Sequence, residues 1–203
     1  LHNDSGDGPL LYRTGTDGAA LGTVTLTDIN AIDFEDIAAA PCPDDSGPCL
    51  WIADTGNNLR DREELTIYVL PEPRAGQSQV PVRWRFPFRY PTENLDVEAL
   101  VVPPEGGRFY LFEKADAARA RVFVHPGPLV DGVSVVLDEI ASFASPGVPI
   151  RFGLMITGAD LHPSGARLLI RTYTGSWEYR LAADQTLADL DAIVPTRIAL
   201  GPV

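Results

Sequence analysis

The sequence has no uninterrupted apolar run of about 18 residues, the least that a helix needs to cross a bilayer, so no membrane span is predicted. Basic residues are also scarce, because 16 Lys plus Arg stand against 28 Asp plus Glu, a formal net charge of −12. A chain of this sign repels phosphate backbones, which argues against a nucleic-acid partner. A solvated surface, a Ca²⁺ site and a cationic or neutral partner all fit the acidic balance.

Two common kinds of catalytic signature are missing. The three histidines, His2, His125 and His162, are scattered, and no His-x-Glu or His-x-x-x-His pair occurs, so no histidine metal triad is predicted. The sequence also has no Gly-x-Ser-x-Gly elbow for a serine nucleophile. Hydrolysis by a serine or by a histidine-bound metal therefore finds no support in the sequence.

Cysteine is limited to Cys42 and Cys49, which flank the segment Pro-Asp-Asp-Ser-Gly-Pro. The Pro and Gly residues bend this loop back on itself, so we predict a disulfide between the two cysteines. Closing the loop would stabilise the fold by about 2–3 kcal/mol in the loop-entropy description. Because disulfides persist in oxidising compartments, the sequence predicts a secreted, periplasmic or cell-surface protein.

A short element occurs three times in the sequence. It reads Asp-Phe-Glu-Asp-Ile at residues 33–37, Asp-Val-Glu-Ala-Leu at 96–100 and Thr-Gly-Ala-Asp-Leu at 157–161. The copies start 63 and then 61 residues apart, and a turn and a second apolar run follow each. A repeat of this length, several strands long, is typical of a β-propeller, in which similar sheets surround an axis.

Short apolar runs bounded by Gly, Pro or Asp predict the strands of three four-stranded units. These runs are residues 33–40, 50–53, 65–70 and 82–88; then 97–102, 108–112, 121–125 and 134–137; then 158–162, 167–172, 176–181 and 197–200. Three earlier runs, at 1–3, 10–13 and 22–27, match a unit whose first strand is absent. A weak helical periodicity around residues 187–193 suggests a one- or two-turn insertion.

We therefore predict an all-β fold, a propeller of four-stranded antiparallel blades in a single domain over residues 1–203. About four blades are present, and the count suggests part of a five- or six-bladed ring that is incomplete at both ends. A four-bladed ring with one short blade is the alternative. Open strand edges at both ends of the array would favour self-association.

In a propeller the first strand of each blade lines the axis, and it begins on the face where the second strand ends. The repeat therefore predicts an axial mouth that binds a ligand, formed by Asp4, Asp33, Glu35, Asp54, Asn57, Asp96, Glu98, Glu113, Lys114 and Arg171. Asp33, Glu35, Asp96 and Glu98 are the candidate ligands of a Ca²⁺ ion, since hard cations prefer carboxylate oxygens.

Clustered carboxylates raise one another's pKa unless a cation neutralises them. Three interpretations stay open: a bound Ca²⁺ ion, a lattice of salt bridges from Arg60, Arg62, Lys114 and Arg171, or a proton-transfer pair. The segment Asp-Thr-Gly-Asn at 54–57 is also typical of a tight turn, in which Asp and Asn accept backbone N–H bonds.

Several ordered motifs resemble those of a group of exported bacterial β-propeller proteins with no established activity. The motifs are His-Asn-Asp-Ser-Gly-Asp (2–7), Asp-Phe-Glu-Asp-Ile-Ala (33–38), Ile-Ala-Asp-Thr-Gly-Asn-Asn (52–58), Ile-Tyr-Val-Leu-Pro-Glu-Pro (67–73), Asp-Val-Glu-Ala-Leu (96–100) and Ile-Thr-Gly-Ala-Asp-Leu-His-Pro-Ser-Gly (156–165). The resemblance covers nearly the whole chain and implies fold and compartment. Residues 53–60 are also similar to NHL-repeat propellers, and acidic-mouthed propellers include Ca²⁺-dependent phytases and lactonases.

The function predicted from the sequence is that of an exported propeller that binds a ligand or Ca²⁺ at its acidic mouth. A metal-dependent hydrolase of phosphate or other esters is the alternative, with Glu35 or Glu98 as general base. A structural interaction module is the second alternative. The sequence leaves open whether the protein is an enzyme, and it identifies no cofactor other than a possible Ca²⁺.

Overall fold

The computed structural model describes residues 1–2, 6–115 and 117–199, and short β-strands dominate these ranges. The strands are β1 (Leu10–Thr14), β2 (Ala20–Thr27), β3 (Phe34–Pro41), β4 (Pro48–Asp54), β5 (Leu65–Pro71), β6 (Gln79–Pro81), β7 (Trp84–Arg89), β8 (Val97–Val101), β9 (Tyr110–Glu113), β10 (Arg119–Val124), β11 (Val135–Val136), β12 (Asp138–Ala144), β13 (Ile156–Leu161), β14 (Arg167–Thr172), β15 (Gly175–Arg180) and β16 (Thr196–Ile198). One 3₁₀ helix, η1 (Leu187–Ala192), precedes β16.

The strands form four sheets that follow one another along the chain. The second sheet pairs β3, β4, β5 and β7; the third pairs β8, β9, β10 and β12; the fourth pairs β13, β14, β15 and β16. Each of these three is a four-stranded antiparallel meander, the unit from which propellers are built. The first sheet holds β1 and β2, and an isolated bridge joins His2 to Leu11. The predicted all-β propeller fold is confirmed, whereas the number of blades in a closed ring stays a prediction.

The apolar core lies between neighbouring sheets rather than in one centre. Trp51, Phe86 and Phe109 are completely or almost completely buried between the second and third sheets. Phe112, Phe143 and Tyr179 fill the space between the third and fourth, and Leu11, Val24 and Ile52 lie between the first and second. Burying one such large side chain contributes about 2–3 kcal/mol, so face-to-face packing of the sheets stabilises the array.

The inner strands β3, β8 and β13 contact one another around the axis. Each has a β-bulge near its start, at Glu35, Glu98 and Thr157 respectively. Thr157 therefore corresponds to the two glutamates, and the repeats are spaced by 63 and then 59 residues. The predicted alignment of the third copy was wrong by two residues, because it matched Asp160 to Asp36 by residue type. We call the end of the array where these bulges lie the mouth.

In the second, third and fourth sheets, the connection between the third and fourth strands packs against the preceding sheet. In the second sheet this connection contains β6, which pairs in parallel with β2. In the third it contains β11, which pairs in parallel with β7. In the fourth it is η1, which packs against β12. We call these three connections the latches.

One predicted strand proves to be a latch. Residues 134–137 were predicted as the fourth strand of the unit that begins at residue 97, but they contain β11, and the fourth strand of that sheet is β12. The reason is that Val135 and Val136 carry a strong strand propensity, whereas β12 is a weaker sequence pattern of mixed polarity. β6 was not predicted, and the short helical insertion near residue 187 is confirmed as η1.

The predicted disulfide between Cys42 and Cys49 is present, with Cα atoms 4.9 Å apart. It joins β3 to β4 at the end of the hairpin away from the mouth, and both cysteines are buried. In the ranges that the structure describes, no helix is both long enough and apolar enough to traverse a lipid bilayer.

Candidate functional site

Three carboxylates meet at the mouth, and we call Glu35, Asp96 and Glu98 the acidic triad. One oxygen of each lies within 4.8 Å of the others. The two glutamates come together because both occupy the bulge of an inner strand, which turns the extra residue toward the axis. Asp96 precedes β8 and joins them from the same sheet as Glu98. Of the four Ca²⁺ ligands predicted from the sequence, the structure brings these three together.

Lys114, the only lysine in the sequence, is bound to the triad. Its Nζ lies 3.4 Å from Asp96 Oδ2 and also contacts Glu98, and the side chain is only 9% exposed. Burial alone would lower the pKa of Lys114, but the hydrogen bond and charge of Glu98, with the charge of Asp96, raise it above its ordinary value. Lys114 thus offsets part of the negative charge of the triad.

The turn at residues 54–57 forms one wall of the mouth. Asp54 is 1% exposed; it accepts the backbone N–H groups of Ile32 and Asp33 and pairs with Arg62 at 2.9 Å. Burial raises the pKa of Asp54, against the lowering effect of these partners. Asn57 exchanges two hydrogen bonds with the Arg62 backbone. These contacts make Asp54 and Asn57 wall residues that do not line the axial cavity.

The backbone of this turn lies directly against two of the predicted ligands. A Cβ on Gly56 would overlap the carboxylates of Asp33 and Glu35, so the position tolerates only glycine without rearrangement. The Asn57 N–H donates to Asp96 Oδ1 at 3.0 Å, which fixes one oxygen of that carboxylate. Close approach of the turn therefore positions the triad.

Glu113 occupies in the third sheet the place of Asp54 in the second. Asp54 is paired with Phe34 and Glu113 with Val97, so both end the second strand of their sheet. Arg121 binds Glu113 through two hydrogen bonds of 2.9 and 3.0 Å. Glu113 was predicted as a residue of the mouth. The structure pairs its carboxylate with Arg121, and Glu113 does not line the cavity.

A cavity of about 580 Å³ opens beside the triad, along the axis. It is lined by His2, Phe34, Glu35, Asp36, Glu98, Thr157, Gly158, Ala159, Asp160, Leu169, Arg171 and Tyr173. Glu35, Glu98 and Arg171 were predicted as mouth residues; Asp36, Asp160, Leu169 and Tyr173 were not. In β14 burial alternates strictly, so Leu169 lies on the exposed face with Arg171; the available signal was Arg171, two residues from Leu169 on the same face of the strand.

Asp36 connects all three inner strands. Its Oδ2 accepts the N–H of Leu100 in β8 at 2.8 Å and that of Ala159 in β13 at 3.5 Å, and its Oδ1 accepts its neighbour Ile37. Burial raises the pKa of Asp36 to about 7, although the three N–H donors oppose the shift.

The four basic residues predicted for a salt-bridge lattice fall into two groups. Arg62 and Lys114 bind carboxylates of the mouth, as a salt-bridge lattice requires. Arg60 instead donates its backbone N–H to Asn57, and Arg171 lines the cavity. Asp4 lies outside the described residues.

No protein-family model matches the chain, and no curated protein matches its sequence. Among solved structures, the chain is similar to one of the Chaetomium thermophilum Polycomb Repressive Complex 2 bound to GSK126, with 14% identity and a TM-score of 0.45. That match covers 90% of this chain and 36% of the other. The Dos1 propeller is similar at 12% identity and a TM-score of 0.38, over 89% of this chain and 44% of the other. The chain thus spans less than half the length of these matches.

Proposed function

We propose that this chain is a ligand-binding part of a β-propeller and that its axial cavity takes ligands with a positively charged group. The observation that carries the proposal is the composition of the cavity wall. Among the described residues, four carboxyl groups, from Glu35, Asp36, Glu98 and Asp160, line the cavity with one guanidinium, that of Arg171, and Lys114 binds one of the four, Glu98. In a site partly shielded from water such an imbalance favours a cation over a neutral or anionic ligand.

The size of the cavity favours an organic cation over a bare ion. A volume of about 580 Å³ lies within the range of small-molecule sites. Leu169 and Tyr173 add apolar and aromatic surface to the cavity wall, and Tyr173 is 61% exposed. An alkyl guanidinium or ammonium could pair with the glutamates while its carbon chain contacts these two side chains.

Ca²⁺ is the second candidate, because the triad offers three carboxylate oxygens within 4.8 Å. Such oxygens suit a hard divalent cation. Lys114 contacts two of the three residues, so the ion would have to displace its ammonium group. For this reason we place Ca²⁺ second.

Paired probes test the charge preference. We expect n-butylguanidinium to raise the melting temperature and to give a titration isotherm, because it binds only the folded state. Its neutral isostere n-butylurea should give neither effect. CaCl₂, compared with MgCl₂, tests the ion separately. A response to Ca²⁺ alone would favour the second candidate.

Two variants locate the binding. Glu98→Gln should remove the butylguanidinium response, whereas Glu139→Gln, at an exposed position of β12, should retain it. Equal responses to butylguanidinium and butylurea would contradict a cation site. So would the absence of any response to both cations, which would leave the mouth as a salt-bridge lattice.

A further inference from the structure

The connection between β12 and β13 is a compact loop at the mouth, since β13 begins there. It is anchored to the turn that follows β14: the Thr174 hydroxyl donates to the Gly153 carbonyl at 2.9 Å and accepts the Val148 N–H at 3.2 Å. A Cβ on Gly147 would overlap the Gly153 backbone, so the two arms of the loop are in contact. These contacts fix the loop against the fourth sheet.

The loop nevertheless exposes apolar side chains. Ile150 is 60% exposed and Phe152 44%, and Ile150 lies against the backbone of Gly153, beside Phe152. Tyr173 in the turn after β14 extends the same surface, because its ring centroid lies 6.5 Å from that of Phe152. We call Ile150, Phe152 and Tyr173 the apolar patch. The loop joins two described sheets, so this is not the exposure of a chain end, and grouped apolar side chains of this kind mark interaction surfaces.

The apolar patch is continuous with the axial cavity, because Tyr173 belongs to both. The cavity wall contains Glu35 and Glu98. The charge beside the patch is instead positive, since the Arg151 guanidinium lies 4.7 Å from the centroid of the Phe152 ring. A basic group is therefore favoured in the cavity and not on the patch. A ligand that covers both surfaces needs a cation at one point and apolar carbon at another.

We propose that the mouth binds an extended segment of a second protein, with one arginine side chain in the axial cavity and an apolar side chain on the apolar patch. The inference rests on the proposed function, since the cavity supplies the preference for a cation. Neighbouring side chains of one polypeptide segment meet both needs, because the two surfaces share Tyr173. The formal net charge of −12 makes an anionic membrane surface the less favourable occupant.

The probe is the capped peptide Leu-Ala-Arg-Ala-Leu, which has a leucine on either side of the arginine and so does not depend on the direction of the segment. Its control, Ser-Ala-Arg-Ala-Ser, has the same charge. We expect the leucine peptide to bind the full chain about tenfold more tightly in calorimetry, because a leucine side chain is buried on the patch. Equal affinities, with n-butylguanidinium still bound, would overturn this inference and leave the proposed function in place. Binding of neither the peptides nor n-butylguanidinium would overturn both.

Two matched substitutions locate the apolar contact. Ile150→Ser should reduce the affinity for the leucine peptide to that for the serine peptide, without changing the affinity for n-butylguanidinium. Val130→Ser, at a residue 52% exposed on the connection between β10 and β11, should change neither affinity. An Ile150→Ser variant that binds the leucine peptide as tightly as the original chain would contradict docking on the patch.

Lipid vesicles test the other occupant. Vesicles of phosphatidylcholine with phosphatidylglycerol should not sediment the chain, because both carry or present negative charge at the mouth. Co-sedimentation that Ile150→Ser abolishes would mean that the apolar patch enters a lipid surface, and it would overturn the assignment to a protein segment.

Discussion

The second and third sheets carry carboxylates at the bulge of the inner strand and at the end of the second strand, whereas the fourth sheet repeats the same backbone with threonines at both places. The bulge that holds Glu35 and Glu98 holds Thr157 in β13. The position of Asp54 and Glu113 is taken in the fourth sheet by Thr172, whose hydroxyl is 3.0 Å from that of Thr174. The bulge therefore forms with or without an acid, and the carboxylates are not needed to build it.

The same comparison separates two kinds of carboxylate within the acidic sheets. Asp54 and Glu113 each have an arginine of their own sheet and are almost fully buried. Glu35 and Glu98 face the cavity. We infer that the first pair stabilises the two sheets, whereas Glu35 and Glu98 form part of the cavity wall.

The largest expected effect comes from unpairing a buried carboxylate. Arg121→Met leaves Glu113 without its guanidinium, and we expect the free energy of unfolding to fall by about 4 kcal/mol. Urea denaturation measures it, with Arg108→Met as the control at an exposed position. A loss below about 1 kcal/mol would mean that the Arg121–Glu113 pair contributes no more to stability than an exposed salt bridge does.

Removing the single lysine tests the mouth itself. Lys114→Met leaves Asp96 and Glu98 without its ammonium, and we expect a loss of about 3 kcal/mol in metal-free buffer. Ca²⁺ should then raise the melting temperature more than it does in the original chain, because the competing cation is gone. If Ca²⁺ raises the melting temperature of the variant no more than that of the original chain, the triad does not bind Ca²⁺ even when Lys114 is absent.

Substitutions at two glycines test the close contact between the turn at residues 54–57 and the carboxylates beside it. Gly56→Ala puts a methyl group into the carboxylates of Asp33 and Glu35, and overpacking of this kind costs about 2 kcal/mol. Gly158→Ala, in the bulge region of the fourth sheet, meets nothing within 4 Å and should leave the stability nearly unchanged. Equal thermal stability of the two variants would mean that the turn can move away from the triad.

The smallest expected effect is a pH dependence from Asp36. Its pKa is about 7 in the folded chain and 3.8 in the unfolded one, so the folded state binds more protons between these values. Stability therefore falls as the pH rises from about 4 to 7. The full shift would correspond to about 4 kcal/mol, and we expect about 1 kcal/mol because water in the cavity screens the carboxyl group. Asp36→Asn should flatten this part of the stability profile. An unchanged slope would assign the dependence to Asp54 or Asp160, whose pKa values are also raised.

The sequence predicted the propeller and most strands because Val-, Ile- and Phe-rich runs alternate with turn residues throughout. It also predicted the meeting of Glu35, Asp96 and Glu98, since the repeat fixes which residues begin the inner strands. It missed Leu169 and Tyr173, because these line the cavity from the second strand of the fourth sheet and its end rather than from the repeated element. It missed Asp160, which lies in the third copy of the element, because only the first and third positions of the first two copies were assigned to the mouth. Which arginine binds which carboxylate was also beyond reach, since Arg121 lies eight residues from Glu113 on a neighbouring strand.

The latches determine the order in which the sheets can be completed during synthesis. During synthesis β2 is made long before Gln79–Pro81, and β7 before Val135–Val136, so each sheet waits for its successor before its rim is covered. The outer edge of each sheet would therefore stay uncovered until the next sheet has been synthesised, and a chaperone could bind the edge in that interval. Unravelling from the carboxyl-terminal side would strip these rims in the reverse order.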